Sequence, residues 1–598
     1  MTEYRAPLRD LRHALACFAD LDGMSDFAEG VDVDTTMGFL EEAGRFMVEV
    51  LAPLNRVGDT QGSVRNDDGS VTTPDGWVEA YRQYVEAGWG AVSFDEAYGG
   101  GGFPHTVSLA IQEMMTSANM GFSLCPLLTQ GAIEMLTHHG SEEQKETYLP
   151  KMVTGEWAGT MNLTEPDAGS DVGALRTRAV PVGDGTYRIS GTKIFITYGD
   201  HDLSDNIIHL VLARTPDAPP GTKGISCFIV PKFVLDDDGS PGVRNDVACV
   251  SIEHKIGIHA SPTCVMSFGE NDGAVGYLIG EENQGMRYMF TMMNNARLSV
   301  GLSGLSLAER ALQQSLTYAV ERTQGRAIGA PAGASSPIID HPDVRRMLMS
   351  MRSKVDAMRA LLYLDAGAVD RADRHPEADV RVRNDELAQL LTPISKAWCT
   401  DLGVELTSTA IQIHGGMGYV EETGVAQYWR DSRITPIYEG TNGIQAMDLV
   451  MRKLPMDGGR VITRFLDDMS ATVAELRRAG GPVDPLADPL EAAVAVLAET
   501  TGWLAENGMG DPAAALAGAT PYLEMMGLVT GGWLSARSAL AAHRALEAGT
   551  DDQDFYRAKI ASASYFCTQE LPRAHGLRAA VTAGAEALFA LTPSQLGS

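Results

Sequence analysis

The stretch RITPIYEGTNGIQ, residues 433–445, sets one carboxylate, Glu439, in a run otherwise apolar or suited to a tight turn. It follows closely on HGGMGY (414–419), a second glycine cluster. An isolated Y-E-G-T reads as a surface glutamate at a loop corner. The meaning of this one depends on what surrounds it.

Upstream, the residues from Asn283 to Arg326 read as one helix of about 40 residues, apolar at three- and four-residue steps. RAIGAPAGASSP (326–337) breaks it, and HPDVRRML (341–348) begins the next. Between 156 and 280 the texture changes. YRISGTKIFIT, NIIHLVLART and GISCFIVPK are short β-rich runs separated by Gly, Pro and Asp turns. DDDGSPGVRND (236–246) reads as loop; its DxDG lacks the remaining ligands of a calcium loop, so a solvated turn is expected and no metal site. From 35 to 150 the pattern is helical, as in TTMGFLEEAGRFMVEVLAPLN and DGWVEAYRQYVEAGWG. SEEQKETYLPKM (141–152) opens on a Ser N-cap and should halt at Pro150. Past Pro455 the chain is Ala/Leu/Glu-rich helix suited to packing or assembly. The expected fold class is α+β, mostly α: an N-terminal extension (1–35), a helical domain (36–155), a middle β-barrel-like domain (156–280), a four-helix bundle carrying the Glu439 turn (281–457) and a helical extension (458–598).

The 598 residues are 44% hydrophobic and 21% charged, an ordinary globular composition with room for several domains. A net charge of −31 argues against a nucleic-acid partner, which needs clustered Lys/Arg to replace counterions. A few arginines can still capture one phosphate group, with poor long-range steering. Seven scattered cysteines with no CxxC fit free thiols in a reducing cytoplasm. The N-terminus has charges throughout and no apolar core with a cleavage site, so no signal peptide is expected. No window of about 18 apolar residues could span a membrane.

Six motifs then follow one another in the order of a known family: MNLTEPDAGSD (161–171), ISGTKIFIT (189–197), KIGIHASPTCVMSF (255–268), AIQIHGGMGY (410–419), YWRDSRI (428–434) and IYEGTNGIQ (437–445). Together with Arg297 and Arg322 they resemble the acyl-CoA dehydrogenases, over roughly residues 40–455. The long N-terminus, HPDVRRML, TSANMGFSLCPLLTQGAIEML (116–136) and the helical tail look like the long-form subfamily, which includes the 3-(methylthio)propanoyl-CoA dehydrogenases of dimethylsulfoniopropionate breakdown and dehydrogenases of ordinary fatty acyl-CoAs.

The resemblance implies FAD-dependent desaturation of an acyl-CoA, with electrons passed to electron-transfer flavoprotein. Such chemistry needs a base against Cα in a dry pocket that raises its pKa, and fixed donors for the developing enolate. In this context Glu439 is the expected base and its backbone N–H one enolate donor. Some relatives hang the base from the long helix, but the matching position is Ala296 and no Glu or Asp occurs between Gly285 and Ala308. By the same resemblance Met161, Thr164, Phe195 and Thr197 serve the flavin, and Ser170 contacts both cofactor and CoA. Asn294, Arg297, Tyr438 and Gly440 serve the substrate. Arg322, Gln412 and Gly416 would reach the FAD of a neighbouring subunit, and Thr441 is a further FAD contact. Arg297 and Arg322 are 25 residues apart, about 37 Å along one helix face, which suits two sites rather than one. Contacts carried into 323–341 are unassigned because an insertion departs from the family pattern there. No GxGxxG follows a strand, so the FAD site is not a Rossmann one.

A homodimer is expected, its tail covering a face that shorter relatives use to form tetramers. The acyl chain is expected to be short to medium, with Met114, Met115, Met120 and Met135 near its tail as polarizable filling. A broad or long-chain dehydrogenase and an acyl-CoA oxidase share the same motifs. A DNA-binding flavoprotein relative fits poorly with the acidic residues of the tail.

Overall fold

The computed structural model describes residues 4–28, 30–333, 335–508 and 510–597, apart from the side chains of 294 and 295. The chain divides into two units: one built mainly from Gly38–Ser299, the other from Pro7–Met37 and Val300–Ser598.

In the first unit, helices precede a sheet. His105–Ala118 and Met120–His139 are buried along most of their length, so neither shows a single apolar stripe, and the first buries Gln112 and Glu113 along with its apolar residues. Met114, Met115, Met120 and Met135 are all buried, so their observed role is core packing. Ser141 caps the next helix through a reciprocal bond with Gln144, as read from the sequence. The stop at Pro150 does not occur. The helix continues to Thr154 and ends where Gly155 takes φ +88°. Pro150 forfeits only one backbone hydrogen bond, and Gly155 supplies the left-handed stop.

Eight strands form the main sheet: β1 Trp157–Asn162, β2 Arg178–Pro181, β3 Tyr187–Thr197, β4 Asn206–Ala213, β5 Ser226–Pro231, β6 Val247–Ile252, β7 Thr263–Phe268 and β8 Ala274–Leu278. Their order is β6-β7-β3-β8-β5-β4-β1, with β2 also on β3, and the β1–β4 pair alone is parallel. β1, β4 and β5 are buried at every position, hence their largely apolar runs, which also bury Asn162 and His209. A side chain at Gly159 on β1 would come within 2.6 Å of Ala132, so the helix below approaches the sheet closely. Residues 236–246 are not all loop. Phe233–Leu235 and Pro241–Arg244 pair as a short hairpin, closed by Asp238, which accepts from the Ser240 N–H at 3.0 Å.

In the second unit the long helix is unbroken from Gly285 to Glu321 (α1), its first part belonging to the other unit. It is followed by α2 Pro342–Arg374, α3 Ala378–His414 and α4 Asn442–Asp448. α1 and α3 cross at backbone distance: a Cβ on Gly403 would lie 2.7 Å from the Gly304 Cα. The tail docks on α3 in the same way. Trp398 fills the space left by Gly527 on the tail helix Ala519–Glu547, where a Cβ would come within 2.3 Å of the indole.

The N-terminal extension from Pro7 onward belongs to this unit. Asp10 accepts from Lys559 at 2.6 Å and Arg352 at 2.7 Å, and Lys559 also meets Asp356 at 2.8 Å. Arg371 of α2 donates to the Ala19 carbonyl at 2.8 Å. Residues 7–24 thus strap the tail to the bundle through a buried charge cluster. Burial opposes ionisation of Asp10, but Lys559 and Arg352 overcome it and hold the carboxyl far below the usual carboxylate range.

Candidate active site

The motif residues fall into two groups, one in each unit. In the sheet unit, the loop after β1 and the strand β3 are stapled by a buried ion pair. The Lys193 ammonium, fully inaccessible, donates to the Leu163 carbonyl at 2.9 Å and to Glu165 at 2.8 Å. Glu165 also accepts from the backbone N–H groups of Arg176 (2.6 Å) and Thr177 (3.0 Å) and from the Thr177 hydroxyl (2.6 Å). Burial is the largest influence on both charges and disfavours each. For Glu165 the Lys193 ammonium and the hydrogen bonds outweigh it, keeping the carboxyl below its ordinary value. Lys193 is pulled down to about 8, so the pair stays charged at neutral pH.

This staple brings together the two motifs expected from the sequence to serve the flavin. Ile194 N–H donates to the Thr164 carbonyl at 2.9 Å, and the Thr160 hydroxyl to the Thr197 carbonyl at 2.7 Å. β3 bulges where its register with β7 shifts, between Lys193 and Ile196. At the bulge Phe195 adopts φ +59° and is 58% exposed. A phenylalanine held out of the core in a left-handed conformation is strained and unshielded, as a ring meant to lie against a ligand would be. Thr164 and Thr197 are half-buried, and among the described residues their hydroxyls take no hydrogen bond inside the chain. An apolar plate with two available hydroxyls suits an isoalloxazine. Met161 is buried in β1, and Ser170 is exposed in the Asp-Ala-Gly-Ser turn. Arg297 is half-buried on α1, with Ala296 buried beside it; the side chain of Asn294 lies outside the described residues.

In the bundle unit the Glu439 turn is tightly specified. Tyr438 N–H donates to the Ile434 carbonyl at 3.2 Å, and Asn442 N–H reaches back to the Pro436 carbonyl at 3.0 Å. Glu439 has φ +56° and Gly440 φ +83°, two successive left-handed residues. The glycine tolerates this; the glutamate is strained. Thr441 then caps α4, accepting from Ile444 N–H at 3.4 Å. The Tyr438 hydroxyl is buried with no hydrogen-bond partner among the described residues, and burial followed by the nearby Glu439 charge pushes its ionisation upward.

Arg322 follows α1 directly, and its side chain is exposed, as are Gln412 and Gly416 at the end of α3. Tyr318 stacks on His414 with centroids 4.3 Å apart, which brings the Arg322 end of α1 to the 412–416 segment. The insertion after Arg322 folds back on itself, Gln324 N–H donating to the Ser336 carbonyl at 3.0 Å and Ser336 N–H to Gly325 at 2.9 Å. The sequence reading missed Lys193, Glu165 and the Tyr318–His414 stack. The first could have been suspected from a lone lysine within the otherwise apolar KIFI run.

Four family models match in order: Acyl-CoA dehydrogenase, N-terminal domain over residues 35–156, middle domain over 160–270, C-terminal domain over 283–454, and an acetyl-CoA dehydrogenase C-terminal-like domain over 465–592. The chain is 48% identical to a 3-methylmercaptopropionyl-CoA dehydrogenase from Ruegeria pomeroyi, covering 95% of this chain and 96% of that one. It is 38% identical to a butyryl-CoA dehydrogenase from Syntrophomonas wolfei, covering 96% of each. Its fold is similar to the crystal structure of an acyl-CoA dehydrogenase complexed with FAD from Bacillus anthracis, with TM-score 0.72, 22% identity and coverage of 92% and 88%. Among the described residues no helix is long and apolar enough to cross a membrane. With its domains matched in order and relatives similar along nearly the whole length, this chain belongs to the acyl-CoA dehydrogenase family of FAD-dependent oxidoreductases.

Proposed function

We propose that the enzyme desaturates a short linear acyl-CoA between Cα and Cβ, with Glu439 as the base and 3-(methylthio)propanoyl-CoA as the leading candidate substrate. The observation that carries the base assignment is the strained Glu439–Gly440 turn, the kind of backbone strain that collects at functional sites. The Glu439 carboxylate takes the proton from Cα, and the electron pair of that C–H bond becomes the Cα=Cβ bond of the trans-2-enoyl product. The backbone N–H of Glu439 holds the thioester oxygen, where charge develops. Gly440 and Tyr438 flank the reacting carbons, the tyrosine as a dry wall. Ser170, Asn294 and Arg297 bind CoA.

Thr164, Thr197, Phe195, Met161, Ser170 and Thr441 would hold FAD, which when bound supplies the acceptor for the hydride leaving Cβ. Arg322, Gln412 and Gly416 would serve the FAD of a second copy. Their exposure, alongside the exposed apolar residues Val320, Ile328, Met417 and Tyr419, supports a homodimer. Electron-transfer flavoprotein is the proposed electron acceptor and the cytoplasm the proposed location; seven free cysteines fit a reducing compartment.

The substrate proposal rests on the relatives, which act on 3-methylmercaptopropionyl-CoA and butyryl-CoA. One methylene changes discrimination by only about 1–3 kcal/mol, so neighbouring chain lengths should also react. kcat/KM over a panel of acyl-CoAs tests it. An optimum among C4–C8 and 3-(methylthio)propanoyl-CoA is expected, with a steep fall for palmitoyl-CoA. Palmitoyl-CoA turning over as well as butanoyl-CoA would overturn the short-chain reading.

A further inference from the structure

The strained Glu439 turn needs something to hold it, and the groups that do so lie on α3. The Asn442 carboxamide, three residues beyond Glu439, is saturated with partners. Its oxygen accepts from the Lys396 ammonium at 2.8 Å and from the Thr400 hydroxyl at 3.3 Å. Its nitrogen lies 3.1 Å from the Ala397 carbonyl, 2.9 Å from the Thr400 hydroxyl and 2.8 Å from the Asp401 carboxylate. Lys396 is fully buried inside the bundle. A second tie runs within the turn, where Gln445 donates to the Gly440 carbonyl at 3.2 Å.

Only a carboxamide can accept from a buried ammonium and donate to a carbonyl and a carboxylate at once. A charge-assisted bond to a buried lysine is among the stronger hydrogen bonds. Losing the carboxamide therefore frees the turn to relax toward ordinary dihedrals. A misplacement of about 1 Å at a reacting group can cost about 100-fold in rate.

We propose that Asn442 is the positioning residue of the active site, anchoring the Glu439 turn to α3 through Lys396, Thr400, Ala397 and Asp401. The proposal rests on the reading of Glu439 as base, and the two can fail separately. Asn442→Ala should slow flavin reduction by saturating acyl-CoA about 10- to 100-fold. FAD content and the Kd of the enoyl-CoA product should stay near wild type, the thermal midpoint should fall by only a few degrees with the lost hydrogen bonds, and the primary isotope effect with α-deuterated substrate should rise. Introduced into Glu439→Gln, it should cause a much smaller further loss, because the base is already absent and only the backbone N–H of the turn is left to misplace. If Asn442→Ala does not fold or hold FAD, Asn442→Ser is judged by the same criteria. A reduction rate within threefold of wild type, or an equal additional loss in the Glu439→Gln background, overturns the proposal. If Glu439→Gln itself reduces FAD at more than a tenth of the wild-type rate, the base assignment fails instead.

Discussion

Replacing Lys193 by Met should damage both the stability of the sheet unit and its hold on FAD. The substitution removes a buried ammonium that bonds the Leu163 carbonyl and Glu165, leaving an anion inside the protein. Breaking one side of a buried ion pair costs about 3–5 kcal/mol. Glu165 keeps three donors, from the Arg176 and Thr177 backbone and the Thr177 hydroxyl, so the lower end is expected, about 3 kcal/mol. Because the pair ties the loop bearing Thr164 to the strand bearing Phe195 and Thr197, FAD affinity should fall as well, by about tenfold or more for a loss of about 1.4 kcal/mol of binding free energy. Urea unfolding followed by tryptophan fluorescence gives the first quantity, and flavin fluorescence titration of the apoprotein the second. The double substitution Lys193→Met with Glu165→Gln should recover part of the stability, since no charge is left unpaired and the amide oxygen still accepts from Thr177. A stability change under 1 kcal/mol with unaltered FAD affinity would refute the staple.

Asp365 of α2 is buried, accepts from the Ser395 hydroxyl at 2.6 Å and is raised by burial to about 7 from 3.8. The folded protein therefore keeps a proton that the unfolded chain has lost, so this stabilisation is full below about pH 4 and disappears as pH rises through 7. Asp365→Asn should exceed wild type in urea resistance at pH 8 by on the order of a few kcal/mol, the gap shrinking at pH 5.5; an equal offset at both pH values would contradict the argument. Lys559→Met, which leaves Asp10 and Asp356 to share Arg352, should cost about 3–5 kcal/mol and expose the tail to proteolysis earlier on heating. An unchanged thermal midpoint would show that the strap carries no load.

The Glu439 turn was legible because its residues are few and special: a glutamate before Gly440, a threonine before a helix, and no competing acid between Gly285 and Ala308. Phe195 and the two threonines were legible only through their motifs, since an aromatic in a strand ordinarily points inward. What the linear order concealed is long-range pairing. Lys193 and Glu165 are 28 residues apart, Asn442 and Lys396 46, and Asp10 and Lys559 549; a buried charge looks like a surface one until its partner is known. Local rules failed where context outweighed them. Pro150 was absorbed because it costs one hydrogen bond in a helix held by Leu149, Met152 and Val153 in the core. The four methionines fill space rather than line an open chamber, as Met commonly does.

Removal of the α-proton by Glu439 is tested by the rate of flavin bleaching when wild type and Glu439→Gln are mixed anaerobically with butanoyl-CoA or 3-(methylthio)propanoyl-CoA. With FAD content and product binding nearly normal, the variant should be slower by at least ~10²–10⁴, the usual worth of a positioned base. Retention of more than a tenth of the wild-type rate would contradict the account.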